Sequence, residues 1–144
     1  FPKWELAREN HPEPWSQRIP SFEDGYDLRM ILEYSDLGVN MCSTMSLDFM
    51  QFDKPVINPV FGNIENGLYN DQRFLKYAHY KRVVESKAVI IAKNQRELID
   101  AINHQLQNPD ERSLERQKLL NLQIGKPLFG TGRRITEQLR NEIR

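Results

Sequence analysis

Short apolar runs alternate with segments of helical periodicity along most of the chain. Three of the runs predict buried strands, at residues 37–41, 55–60 and 88–92. Residues 18–22 indicate a further, shorter strand that ends in a loop. Apolar positions three and four apart predict helices, at residues 26–34, 43–52, 73–85, 94–107 and 131–143.

Two of the helix starts are predicted from capping residues. Asn94 with Glu97 three positions later forms a capping box, which starts a helix there. The apolar residues that this helix is expected to turn inward are Leu98, Ile99, Ile102 and Leu106. Asn108 is predicted to cap the next helix, with Pro109 at its first position and Glu111 at its third.

This order of elements predicts an α/β fold. Apolar strands separated by helices are typical of a parallel sheet covered on both faces, here with about four to five strands. The prolines of residues 1–17 indicate a linker or the remainder of a truncated boundary, so residues 18–144 are expected to form the domain. The polar loop at residues 61–71 is longer than most connections, and its weak sugar-site candidates are Asn63, Glu65 and Asn66.

Charge and cysteine content narrow the function classes. The 20 basic and 20 acidic residues cancel, which argues against nucleic acid as a general partner. Residues 1–80 carry 7 basic and 12 acidic side chains, whereas residues 81–144 carry 13 and 8, so the carboxyl-terminal half is basic. The single cysteine, Cys42, excludes an internal disulfide and a multi-cysteine zinc site. We expect a cytoplasmic protein.

The junction after the strand at residues 37–41 is the first candidate site. Ligands of open parallel sheets bind at the carboxyl ends of strands, and here Ser43 and Thr44 open a helix. Hydroxyls, free backbone N–H groups and the helix dipole together favour a phosphate. Asp48 lies one turn further along the same face, where a carboxylate can accept bonds from ribose hydroxyls. The alternative is an ordinary helix cap beside an exposed acid.

Several motifs in order resemble the carboxyl-terminal domain of a GT-B glycosyltransferase, in particular that of bacterial surface-polysaccharide glycosyltransferases and CDP-glycerol glycerophosphotransferases. The resemblance spans residues 18–143. It is carried by Tyr34-Ser35-Asp36-Leu37-Gly38, Ser43-Thr44 with Asp48, Lys54-Pro55-Val56-Ile57, Tyr77-Ala78-His79-Tyr80, Glu97-Leu98, Asn108-Pro109 and Gly132-Arg133-Arg134-Ile135. The family usually has Asp-Gly before the final helix, where this chain has Phe129-Gly130-Thr131-Gly132.

This resemblance implies a Rossmann-like domain that forms one half of a GT-B enzyme and binds the nucleoside diphosphate donor. It implies that Ser43, Thr44 and His79 contact the diphosphate, that Asp48 holds the ribose, and that Phe22 and Tyr26 lie near the base. The donor, a nucleotide sugar or a CDP-glycerol-like molecule, is the substrate, and no cofactor or metal is implied. The enzyme would act in surface polysaccharide synthesis together with an amino-terminal domain of the same polypeptide, with peripheral membrane contact through the basic half. No catalytic residue is assigned.

Two alternatives stay open. The chain is either a non-catalytic α/β interaction domain, in which the Ser43 turn is only a cap, or half of a UDP-sugar 2-epimerase. A glycine-rich turn is typical of those epimerases, so Ser43-Thr44 counts against the second alternative. A zinc site is not expected, because the histidines are far apart in the sequence. Side chains that could offset phosphate charge are Lys54, Arg73, Lys81 and Arg82.

Overall fold

Six helices and two small sheets make up the part of the chain that the structure describes. The structure is a computed structural model, and it describes residues 5–6, 18–62, 75–126 and 129–143. The chain divides into two units, Phe1–Asp36 and Leu37–Arg144. The prediction of an α/β fold with a parallel sheet is confirmed, although three parallel strands are seen among these residues rather than four to five.

The first unit contains a two-stranded ribbon and one helix. Strand β1 (Glu5–Leu6) pairs antiparallel with β2 (Arg18–Ile19), so the prediction that residues 18–22 add a strand to the parallel sheet is wrong. Helix α1 (Phe22–Tyr34) begins four residues before the predicted start. Its cap explains the difference, since the Ser21 hydroxyl accepts from the N–H of Asp24 while the Asp24 carboxylate accepts from the N–H of Ser21.

The second unit is built on a parallel sheet in the order β3-β4-β5. The strands are β3 (Gly38–Val39), β4 (Val56–Pro59) and β5 (Ile90–Ala92). Helix α2 (Met45–Gln51) connects the first pair, and α3 (Ala78–Glu85) lies between the second pair. Because the strands are parallel, their carboxyl ends share one edge of the sheet. Of the predicted loop at 61–71, only residues 61 and 62 belong to the described part.

Burial of apolar side chains in the core stabilises these short strands. Val56, Ile57 and Ala92 are buried in the sheet, and Phe49 and Met50 of α2 are buried with them. Gly38 lies so close to Phe49 that a Cβ atom there would approach the ring to 2.6 Å. Glycine is therefore required at Gly38 by close packing rather than by a turn.

Helix α4 (Gln95–Gln107) confirms the predicted cap. The Asn94 side chain accepts from the N–H of Glu97, whereas the Glu97 carboxylate accepts from the N–H of Lys93 rather than from that of Asn94. The inward face is only partly as predicted. Leu98 and Ile102 are half-buried and Gln105 is fully buried, while Ile99 and Leu106 are about half exposed.

The predicted cap at Asn108 is wrong. Asn108 ends α4, and helix α5 (Ser113–Gln123) begins only after a turn. The carboxylate of Glu111 accepts bonds from the side chains of His104 and Gln105, so it does not serve a helix start. The last helix, α6 (Thr131–Glu142), matches its prediction within one residue and has no buried residue. Among the described residues, no helix is long and apolar enough to cross a bilayer.

Candidate functional site

A cavity of about 140 Å³ lies at the carboxyl-terminal edge of the sheet, beside the turn that follows β3. Three regions that are distant in sequence supply its lining: the turn with the start of α2, helix α3 and the end of α5. Its polar lining residues are Cys42, Ser43, Thr44, Ser46, His79, Tyr80 and Gln123. Leu47 and Val83 add apolar walls. The cavity therefore occupies the position at which α/β folds bind ligands.

The structure brings together Ser43, Thr44 and His79, the three residues predicted to contact a diphosphate. Thr44 and His79 are exposed and Ser43 is half-buried, so solvent reaches all three. The ring of His79 lies 5.8 Å from that of Tyr77, at a tilt of 32°. The convergence of these three side chains on one cavity is a geometric finding, and their role as ligands stays a prediction.

The other predicted site residues do not line this cavity. Asp48 is half-buried on α2, where its carboxylate accepts a bond of 3.3 Å from Gln51, and burial raises the pKa of Asp48. Phe22 and Tyr26 belong to the first unit, in which Phe22 is fully exposed and Tyr26 is 60% exposed. No grouping of three metal-binding side chains occurs within the described ranges.

Most backbone donors of the Ser43 turn already have partners inside the chain. The N–H of Ser43 donates to Oδ1 of Asn40 at 3.0 Å, and the N–H of Met45 donates to the Ser43 hydroxyl at 3.2 Å. The N–H groups of Ser46 and Leu47 donate to the carbonyls of Ser43 and Thr44. The expectation of free N–H groups for an anion is therefore wrong for these positions, and the side chains of the turn are the groups left to meet a ligand.

Four uncharged polar side chains form a hydrogen-bonded set that we call the neutral cluster: Asn40, Ser46, Asn58 and Tyr80. Two of them, Ser46 and Tyr80, line the cavity. The Tyr80 hydroxyl donates to Oδ1 of Asn58. Nδ2 of Asn58 donates to the backbone carbonyl of Asn40 at 2.8 Å and to Oδ1 of Asn40 at 3.1 Å. The Ser46 hydroxyl donates to the same Oδ1, also at 3.1 Å. One oxygen of Asn40 thus collects bonds from three elements.

Burial shapes the acidity of the two titratable groups at this end. Desolvation raises the pKa of Tyr80 to about 12, partly offset by its contact with the Ser46 hydroxyl. Burial also raises the pKa of the Cys42 thiol, although the Tyr80 hydroxyl lowers it in part. Cys42 has a φ of 52°, in the left-handed region. A thiol with a raised pKa is a poor nucleophile.

Sequence reasoning missed the roles of Asn58 and Ser46. Asn58 is fully buried within β4, and the signal for it was an amide inside an otherwise apolar run. A buried amide needs partners, so such a residue indicates a polar network. Ser46 was within the predicted helix, and nothing in its spacing distinguished it from an exposed serine.

A second polar set, the charged cluster, lies before the amino end of β4: Asp53, Ser113 and Arg116. Arg116 is fully buried, and its Nε donates to Oδ1 of Asp53 at 2.7 Å while its Nη2 donates to the carbonyl of Pro109 at 2.9 Å. The Ser113 hydroxyl donates to the other oxygen of Asp53 at 2.5 Å. These bonds join the end of α2 to the start of α5.

The remaining sequence candidates fall in three groups. Lys81 pairs with Glu85 at 3.6 Å on the surface of α3, and Arg82 is exposed. Lys54 is half-buried in the turn before β4. Outside the described residues lie Asn63, Glu65, Asn66 and Arg73.

Comparison of the chain with protein-family models, with curated proteins and with solved structures gives no match. The family resemblance therefore depends on the motifs in the sequence, and the geometry of the cavity is the independent observation beside it.

Proposed function

We propose that this chain is the donor-nucleotide-binding domain of a GT-B glycosyltransferase, which transfers a sugar or glycerol phosphate from a nucleoside diphosphate. Three observations support the proposal: the ordered motifs over residues 18–143, the parallel α/β sheet and the cavity. The cavity carries it, because Ser43, Thr44 and His79 meet there although α2, β4 and a long connection separate them in sequence.

The side chains at the cavity suit phosphate oxygens. The Ser43 hydroxyl accepts the N–H of Met45 and keeps its own hydrogen to donate. Thr44 adds a second hydroxyl, and an imidazole N–H of His79 adds a donor from α3. Donors fixed where charge develops on a leaving diphosphate would favour transfer.

The size of the cavity limits what it can hold. At about 140 Å³ it is smaller than the roughly 300–1,000 Å³ typical of small-molecule sites. It fits the phosphate part of a donor rather than a whole nucleotide sugar. The base and sugar would then extend beyond it, with the ribose toward Asp48 as the resemblance implies, and toward the proposed amino-terminal domain.

The test is titration of UDP, CDP and GDP against the wild-type chain, followed by calorimetry and by the rate at which a thiol reagent labels Cys42. Cys42 is the only cysteine and lines the cavity, so bound ligand should slow its labelling. We expect Thr44→Val and His79→Gln each to weaken binding by about tenfold, as expected for one lost bond to a charged group. Asp48→Ala tests the ribose contact separately.

Matched controls keep this test specific. His104→Gln changes an exposed histidine on α4, and Asp100→Ala changes an exposed acid there, so both should bind nucleotide like wild type. The absence of diphosphate binding by the wild-type chain would contradict the proposal. Equal binding by the cavity variants and the controls would contradict the site.

A second candidate, the interaction domain, is favoured by α6. Ile135, Leu139 and Ile143 recur every four residues at its surface and are 55%, 57% and 84% exposed. A stripe of this kind is typical of a helix that packs against a partner. Thermal unfolding separates the candidates, because a nucleotide that binds the native state raises the melting temperature and an interaction domain shows no such shift.

A further inference from the structure

We infer that Asn58 and Tyr80 are positioning residues. Through hydrogen bonds of the neutral cluster, they hold the Ser43–Thr44 turn and His79 in fixed positions relative to each other. The inference deepens the proposed function and rests on it, since it concerns how the same cavity is held ready for a phosphate. Neither residue is assigned a contact with the donor.

The first step is the link from the cluster to the turn. Oδ1 of Asn40 accepts the N–H of Ser43 at 3.0 Å, which fixes the backbone at the start of the turn. Nδ2 of Asn40 is buried and has no partner among the described residues. The orientation of this amide is therefore set through its oxygen alone.

The second step is the link from Asn58 to that oxygen. Asn58 is fully buried, and its Nδ2 donates to the backbone carbonyl and to the side-chain Oδ1 of Asn40. Its own Oδ1 is occupied by the Tyr80 hydroxyl, so the amide cannot turn over without losing bonds on both sides. A donor from Tyr80 thus fixes which end of Asn58 faces the turn.

The third step is the link to α3. Tyr80 is 4% exposed and follows His79 directly on α3. Anchoring the Tyr80 hydroxyl beneath the cavity therefore sets where α3 presents His79. One chain of bonds, from Tyr80 through Asn58 to Asn40 and Ser43, fixes both walls relative to each other. Buried hydrogen bonds of this kind restrict the side chains that they join.

The test compares Tyr80→Phe and Asn58→Asp with the control Tyr34→Phe, which removes a hydroxyl from an exposed tyrosine of α1. Asn58→Asp keeps the shape but replaces the donating NH₂ by an acceptor, and Tyr80→Phe is the milder change if the first variant unfolds. Amide hydrogen exchange measured by NMR reports directly on the Ser43 N–H. We expect its protection to fall by about tenfold or more in both variants. Val60, whose N–H bonds to the carbonyl of Ala92, should keep its protection.

Diphosphate affinity supplies the second readout. We expect Tyr80→Phe to weaken UDP, CDP or GDP binding by about tenfold, and to weaken it little further when Thr44→Val is already present, because coupled residues are not additive. Unchanged Ser43 protection in a folded Tyr80→Phe variant would overturn the inference whatever the nucleotide result. Lost protection with full affinity would overturn the positioning role and leave the proposed function standing. If the wild-type chain binds no diphosphate, the proposed function fails, and exchange at Ser43 alone decides whether the network sets the turn.

Discussion

The neutral cluster and the charged cluster provide partners for buried polar side chains in different ways. Each buries polar side chains within the second unit, and each includes or adjoins a non-glycine residue in the left-handed region, Cys42 at 52° and Asp53 at 54°. The neutral cluster is built of amides and hydroxyls beside a cavity. The charged cluster contains an ion pair between the turn after α2 and helix α5, and it is not part of the lining of that cavity.

This difference in charge and location predicts different roles for the two clusters. Arg116 is fully buried whereas the Asp53 side chain is 38% exposed, so losing the carboxylate leaves a buried charge without compensation, which is costly. A bond between neutral groups costs less to remove, and in the neutral cluster these bonds hold the Ser43 turn and Tyr80, which line the cavity. We therefore expect changes in the charged cluster to act mainly on stability, and changes in the neutral cluster to act mainly on the turn and on binding.

The largest effect is expected from Asp53→Asn. The substitution keeps a side chain that tolerates the left-handed region but leaves the buried guanidinium of Arg116 without its carboxylate, which should cost about 3 kcal/mol in the free energy of unfolding. Denaturant unfolding with an unchanged slope measures this cost. Asp100→Asn is the control, because its pair with Arg96 at 3.8 Å is exposed and should contribute little. A loss no larger than that of the control would remove the contrast between the clusters.

A smaller effect is expected in alkali from the neutral cluster. Because burial raises the pKa of Tyr80 to about 12, the folded state holds this proton more tightly than the unfolded state does. Stability should therefore fall as pH rises from about 10 to 12, by at most about 2 kcal/mol for this group. Other side chains titrate in the same range, so the measurement is the difference between wild type and Tyr80→Phe in unfolding free energy at each pH. Parallel curves for the two proteins would show that Tyr80 does not carry the effect.

The smallest effect is expected from Lys87→Gly, and its sign is opposite. Lys87 is exposed and has a φ of 60°. Its backbone carbonyl accepts a hydrogen bond of 2.9 Å from Arg112, the residue before Ser113 of the charged cluster, and glycine would keep this carbonyl. Glycine adopts this backbone without strain, so the variant should gain about 0.5–1 kcal/mol. Asp53→Gly, at a similar φ, should instead lose stability because its carboxylate is used. Thermal melts of both variants check the pair, and a destabilised Lys87→Gly would contradict the assignment of strain.

Local signals carried most of the fold that the sequence could predict. Apolar runs placed β4 and β5, and the side chain of Asn94 marked the start of α4. The failures have non-local causes. Arg18–Ile19 is extended as expected, but it pairs with Glu5–Leu6 rather than with the parallel sheet. The pattern of apolar residues does not specify which strand is the partner. Asn108 and Pro109 are typical of a helix start, but the Glu111 carboxylate bonds to the side chains of His104 and Gln105 instead of to a backbone N–H at a helix start.

The candidate site was predictable to the extent that topology alone decides it. The rule that ligands lie at the carboxyl ends of strands directed attention to Ser43 and Thr44, and the resemblance added His79. The backbone donors of the turn could not be assessed, because their partners arise from packing. Oδ1 of Asn40 takes the Ser43 N–H, and nothing in the spacing of these residues shows it.

Helix α5 runs from the charged cluster to the cavity. It begins at Ser113, which bonds to Asp53, and it ends at Gln123, which lies on the cavity wall. Its 11 residues span about 16 Å at 1.5 Å per residue. Between these two points Leu119 and Leu120 are buried, so the helix is packed into the core along its length. One rigid element therefore joins the part of the fold that we expect to govern stability to the lining of the cavity.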